Sequence, residues 1–238
     1  MVAYLRAIYS PYHARYYPTA PADDLFPLMT LDQLHEMGPE HETRLKIELG
    51  RELATILMLA GAAVMAARNM REWFAIFVAC FGVWDITFYL GLKVLIHWPA
   101  SLMTWDILFL LPVPWVGPVI TPVIVASSMI FMGLAVLWRE YRGDPIKIGR
   151  GRWALIVLGW VLLLVAFMAD VANTTNGGYP KTFQWLLFIA GEVTWLSAFL
   201  MALFTAPPSA RRPSSSPAPG PAIPATESHT SATPRSIP

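Results

Sequence analysis

From Val116 to Trp138 the chain runs for 23 residues without one charged side chain. As a helix this stretch would be about 35 Å long, more than the roughly 30 Å hydrocarbon core of a bilayer. Comparable runs recur from Trp73 to Trp98, from Trp153 to Ala172 and from Thr182 to Ala206, holding only Asp85, Lys93, Asp170 and Glu192 as charges. A water-soluble globule has no interior large enough for so many such segments. With 55% hydrophobic and 14% charged residues, the chain is expected to be an all-α, polytopic transmembrane bundle of about five spans.

The weakest span is the first, Leu53 to Ala67 (53-67), whose fifteen residues cover only about 22 Å as a helix. The others are placed at 73-98, 116-138, 153-172 and 182-206. Ahead of them, residues 1-52 carry thirteen charges, five basic and eight acidic, and no removable signal peptide is expected. Within that region Leu28, Leu31, Leu34 and Met37 recur at about helical spacing, which predicts a short amphipathic helix. Gly38 breaks it, and Pro39 suits the first position of the next helix. Ser101 to Leu111 is too short to cross, and Pro112, Pro114, Pro118 and Pro122 interrupt the residues beyond it. The expectation is an outer re-entrant or interfacial half-helix over 101-111, capped by Ser101 or Thr104, then a span kinked near Pro118 or Pro122. Residues 207-238, with nine Pro and seven Ser, read as a disordered tail.

Orientation is set by the short loops. Arg68, Arg71, Arg139, Arg142, Lys147, Arg150, Arg152, Arg211 and Arg212 fall on one side of a five-span chain, against Lys181 on the other. The expected location is the cell (plasma or inner) membrane with the C-terminus cytoplasmic. Arg44, Lys46 and Arg51 at the outer end of the first span run against this rule. Trp73, Trp98, Trp105, Trp115, Trp138, Trp153 and Trp185 lie near span ends, as an interfacial aromatic belt would.

A charge inside a bilayer costs about 3 kcal/mol on insertion scales, so each one asks for a reason. Asp85, Tyr89, Lys93 and His97 recur at steps of four and form one polar stripe on the second span. The stripe reads either as the wall of an outward-facing polar cavity or proton path, or as a buried Asp85 with Lys93 snorkelling away and His97 among headgroups. Asp170, Asn173 and Thr174 share a face at the end of the fourth span, where they would satisfy a frayed helix end or add to a site. Glu192, mid-span, should face another helix, neutralised either by Lys93 as a counter-ion or by holding a proton. Trp-Asp-Ile occurs twice, at 84–86 and 105–107, and places Asp106 on the outer half-helix. The expected intramembrane polar site is therefore Asp85, Tyr89, Lys93, His97, Asp106, Asp170, Asn173 and Glu192.

Other chemistries have little support. The single cysteine, Cys80, makes no internal disulfide. His41, Glu48, Glu52 and His97 can be assembled into a metal site only on paper, since no ligand motif is present, and no metal or cofactor is assigned. There is no G-x-S-x-G and no phosphate loop, so ATP-driven transport by this chain alone is excluded. A net charge of +1 without a basic stripe points away from nucleic acid. The expected partners are the lipid bilayer and either further copies of the chain or a larger membrane complex. Three functions fit: a small transporter or proton-coupled permease, a membrane enzyme acting on a lipid or isoprenoid, and a non-catalytic subunit or assembly factor.

Overall fold

The computed structural model describes residues 11–20, 25–111 and 113–205, without the side chains of residues 41, 42, 44 and 45. The tail expected over 207-238 lies outside the described residues. After a helical stretch at residues 11–16, nine elements run in order from Leu31: α1 Leu31–Glu36, α2 Pro39–Ala66, α3 Met70–Ile96, β1 Trp105–Phe109, β2 Trp115–Pro118, α4 Ile120–Tyr141, α5 Arg150–Met168, α6 Val171–Thr175 and α7 Trp185–Thr205. Five described segments are long and apolar enough to cross a membrane: Lys46–Ala66, Met70–Ile96, Ile120–Tyr141, Arg150–Thr175 and Trp185–Thr205. The fold is an all-α bundle with almost no sheet. Leu57, Val64, Met65, Val94, Leu95 and Leu186 are all more than half exposed on these helices. Such apolar outer faces are at home against lipid tails.

Local chemistry sets the element limits. Thr30 caps α1 in a capping box with Gln33, and Pro39 opens α2, where a missing N–H costs no helical bond. Asn69 begins α3 by accepting from the amides of Arg71 and Glu72 at 3.0 Å each.

The helices pack mainly as two close pairs, α3 with α4 and α5 with α7, with α2 laid against α3. Small residues make both seams. A Cβ on Gly82 would lie 2.5 Å from the Ala126 carbonyl oxygen, and one on Gly133 would lie 2.5 Å from that of Ala75. The second seam is reciprocal, since a Cβ on Gly159 would meet the Gly191 oxygen at 2.7 Å and one on Gly191 the Gly159 oxygen at 2.8 Å. Backbones in lipid are drawn together by such close contact, because burial from water no longer drives the pairing.

The half-helix expected over 101-111 is replaced by an antiparallel β-hairpin. Trp105 pairs with Pro118, Asp106 with Gly117, Ile107 with Val116 and Phe109 with Trp115, leaving Leu108 in a bulge. A run of Trp, Ile and Phe favours strand once a partner strand is near, and two short strands satisfy each other's backbone groups without a helix. The prolines act differently as well. Pro118 ends β2 and Pro122 sits in the first turn of α4, so they delimit the span rather than kink it, and the third crossing begins at Ile120 instead of 116. The hairpin is wedged at one end of the bundle. Ile107 and Val116 pack with Leu25, Phe26, Tyr89 and Trp98, while Trp105, Leu108 and Trp115 join the main core around Phe167 and Phe183.

Candidate functional site

The polar stripe on α3 divides in two. Toward the end of the helix, the Lys93 ammonium donates to the Pro99 carbonyl oxygen at 2.8 Å, and His97 is exposed in a left-handed C-cap with φ 57°. Lys93 forms no ion pair with Asp85 or Glu192 among the described residues, which corrects its expected role as their counter-ion. Its four-carbon stem lets the charge reach the loop carbonyl instead.

Deeper in, Tyr89 is buried and its hydroxyl donates to Asp106 Oδ2 at 2.8 Å. Asp106 is only 1% exposed and also accepts the Ile107 amide on Oδ1 at 2.8 Å. Burial pushes its carboxyl up to about 7. The hydrogen bonds from Tyr89 and Ile107 act the other way by favouring the ionised form, and the nearby Asp85 reinforces burial.

The two Trp-Asp-Ile segments therefore converge. Asp85 and Asp106 line one small cavity of about 30 Å³, together with Glu52, Arg51, Tyr89 and the hairpin. This volume suits a single water. Glu52 of α2 reaches the hairpin directly, accepting the Leu110 amide at 3.2 Å on Oε1 and 3.1 Å on Oε2. Arg51 and Glu48 pair on the same helix. The carboxylate of Glu52 fixes the end of β1 relative to α2, a structural link for a residue that sequence reasoning places in a metal set. No group of three or more His, Cys, Asp or Glu side chains is arranged to share a metal ion among the described residues.

Asp85 also lines a second cavity, of about 310 Å³, between α2, α3, the hairpin, α4 and α5. Its walls are apolar and rich in rings, including Phe77, Phe81, Phe109, Trp115, Trp160 and Phe167. Among the described residues Asp85 is the one charged side chain on that wall. It makes no hydrogen bond or ion pair among the described residues. The stripe thus borders three spaces: Asp85 faces this apolar cavity, Asp85 and Tyr89 line the small polar one, and Tyr89 and Lys93 line another of about 340 Å³ beside Pro99 and Ser101. Trp115 belongs by its position in the sequence to the interfacial belt, yet it lines this wall, with its indole Nε1 buried and without a hydrogen-bond partner among the described residues. The sequence offers no sign of this, because a tryptophan near a span end serves either purpose.

The remaining expected residues lie elsewhere. Asp170 Oδ2 accepts from Asn173 Nδ2 at 3.2 Å and from the Lys181 amide at 2.8 Å, while Asn173 Nδ2 also donates to the Tyr179 carbonyl at 2.7 Å. These bonds close the turn after α5. Glu192 is buried on α7, its Oε2 accepting from Trp195 Nε1 at 2.8 Å and its Oε1 without a partner among the described residues. Neither group lines the cavities at Asp85. No family model, curated protein or solved structure matches the chain.

Proposed function

We propose that this protein takes up a membrane amphiphile, with the apolar chain in the large cavity and the headgroup at Asp85, and that it handles this lipid or isoprenoid as a binding or catalytic component of the membrane. The observation that carries the reading is the position of Asp85, an unpaired carboxyl in a wall otherwise made of apolar side chains. A space of this kind suits hydrophobic matter with one polar end. Asp85 would then exchange a hydrogen bond or a proton with the headgroup. In this reading the end of the bundle holding Arg68, Arg71 and the 142–149 loop faces the cytoplasm, in keeping with the excess of basic residues there.

The test is the lipid content of protein extracted with its surrounding bilayer, identified by mass spectrometry. One amphiphile should be enriched over the bulk lipid, and both Val125→Phe, which fills the cavity, and Asp85→Leu should remove the enrichment. A bound fraction indistinguishable from bulk lipid in the unaltered protein would overturn the reading.

Proton-coupled transport is supported by a different observation. Asp85 lines the small cavity with Asp106 and Glu52 as well as the large one, which suits a proton relay along carboxylates. Proton flux into liposomes under a pH gradient, lost in Asp85→Asn, would favour transport over simple binding.

A further inference from the structure

We infer that the groove beside Lys93 binds an anionic phospholipid, held by its phosphate on the Lys93 ammonium and by an acyl chain along α3 and the start of α4. This site is separate from the large cavity and does not depend on what that cavity holds. At 27 residues α3 is about 40 Å long, and so outruns the roughly 30 Å hydrocarbon core. Lys93 lies three residues before the helix ends at Ile96, about 5 Å in. With the helix centred in the bilayer, its ammonium stands at the edge of the hydrocarbon. The groove has a volume of about 340 Å³, within the roughly 300–1,000 Å³ range of ligand pockets. Its apolar walls are Ile86 and Leu90 of α3 on one side and Leu102, Val119 and Val123 on the other. Leu90 and Leu102 are more than half exposed. The groove therefore faces the bilayer, and what fills it comes from the lipid.

Charge decides which lipid. Among the described residues Lys93 is the one charged side chain on this groove. It is exposed, and one of its three N–H bonds is engaged by the Pro99 carbonyl at 2.8 Å. That bond holds the ammonium at the mouth of the groove with two donors left. A cation fixed there complements a negative head on a hydrocarbon tail. A zwitterionic head brings its own ammonium, whose repulsion from Lys93 offsets the attraction of the phosphate. Ser101 lines the same groove two residues past Pro99, at most about 7 Å along the chain. Its hydroxyl accepts from the Met103 amide at 3.2 Å and keeps its hydrogen for a second headgroup oxygen. A phosphodiester with its glycerol esters spans such a gap. The two oxygens of a fatty-acid carboxylate do not.

The experiment photolabels the full chain in phosphatidylcholine nanodiscs with phosphatidylglycerol carrying a diazirine on its acyl chain, and locates the adducts by peptide mass spectrometry. Saturable labelling should fall on the groove, at residues 86–90, 102 and 119–123. Unlabelled phosphatidylglycerol should displace it about fivefold more effectively than added phosphatidylcholine, the effect of one cation at the membrane surface. Inorganic phosphate and oleate should compete more weakly than phosphatidylglycerol. Lys93→Gln should abolish the preference and Lys93→Arg should keep it, while Arg142→Gln, at the other end of α4, should leave it unchanged. Equal displacement by the two phospholipids, adducts spread evenly over the outer helix faces, stronger competition by phosphate or oleate, or an unchanged preference in Lys93→Gln would overturn the assignment. Each of these leaves the reading of the large cavity where it stands. Should Lys93→Gln fail to fold, Leu102→Glu sets a negative charge on the groove and must lower the preference; an unchanged preference there overturns the assignment as well.

Discussion

Tyr89 on α3 and Asp106 on the hairpin, seventeen residues apart, are joined by a hydrogen bond of 2.8 Å from hydroxyl to carboxyl inside the protein. The bond ties a membrane helix to the sheet that closes one end of the bundle. Tyr89→Phe removes the donor and leaves Asp106 with the Ile107 amide alone. The expected cost is about 1–2 kcal/mol, read as a lower melting temperature in detergent.

Asp106 should make stability depend on pH in a direction opposite to that of a salt-bridged carboxylate. Its folded value is about 7 against an ordinary 3.8. Below pH 4 both folded and unfolded chains hold the proton, and above 7 neither does. Between those limits only the folded chain binds it, so stability falls as pH rises, by on the order of 4 kcal/mol in all. Melting temperatures measured from pH 4 to 8 should decline up to about 7 and then level. Asp106→Asn should flatten that slope.

Glu52 should govern the local opening of the hairpin. Its carboxylate is the acceptor for the Leu110 amide, and such charge-assisted bonds contribute about 1.5–3 kcal/mol. Glu52→Ala should speed hydrogen exchange at Leu110 by roughly 10- to 100-fold. Glu52→Gln, which retains an oxygen acceptor, should stay within a few-fold of the unaltered protein.

The seam between α5 and α7 leaves no room for a methyl group. Gly159→Ala would put a Cβ 2.7 Å from the Gly191 oxygen and from Trp195 Cβ, and should cost about 1–3 kcal/mol. Gly61→Ala on α2 meets nothing within 4 Å and should be neutral or stabilising by up to about 1 kcal/mol. Parallel melting curves in one detergent check the contrast.

The spans were legible because length without charge is a sufficient sign of a crossing, and Pro39 marked where α2 begins. The hairpin was not. Trp105–Phe109 carries no alternation that separates a short strand from a short helix, and its partner strand lies beyond an intervening loop rich in proline. Within the polar stripe, spacing placed Asp85 and Tyr89 on one face, but the long stem of Lys93 made its direction a matter of tertiary structure. The meeting of Asp85 with Asp106, and of Asp85 with Trp115 around one cavity, depends on how the hairpin folds back. Nothing within either segment alone encodes that.

The two glycine seams have a consequence for biogenesis. Each joins membrane spans that are consecutive in the chain, α3 to α4 and α5 to α7. The first pair can lock as soon as α4 has been inserted, with little loop entropy to overcome. The large cavity needs walls from α2, α3, the hairpin, α4 and α5 together. Its walls are therefore incomplete until synthesis has passed Phe167, and until then the space is continuous with its surroundings.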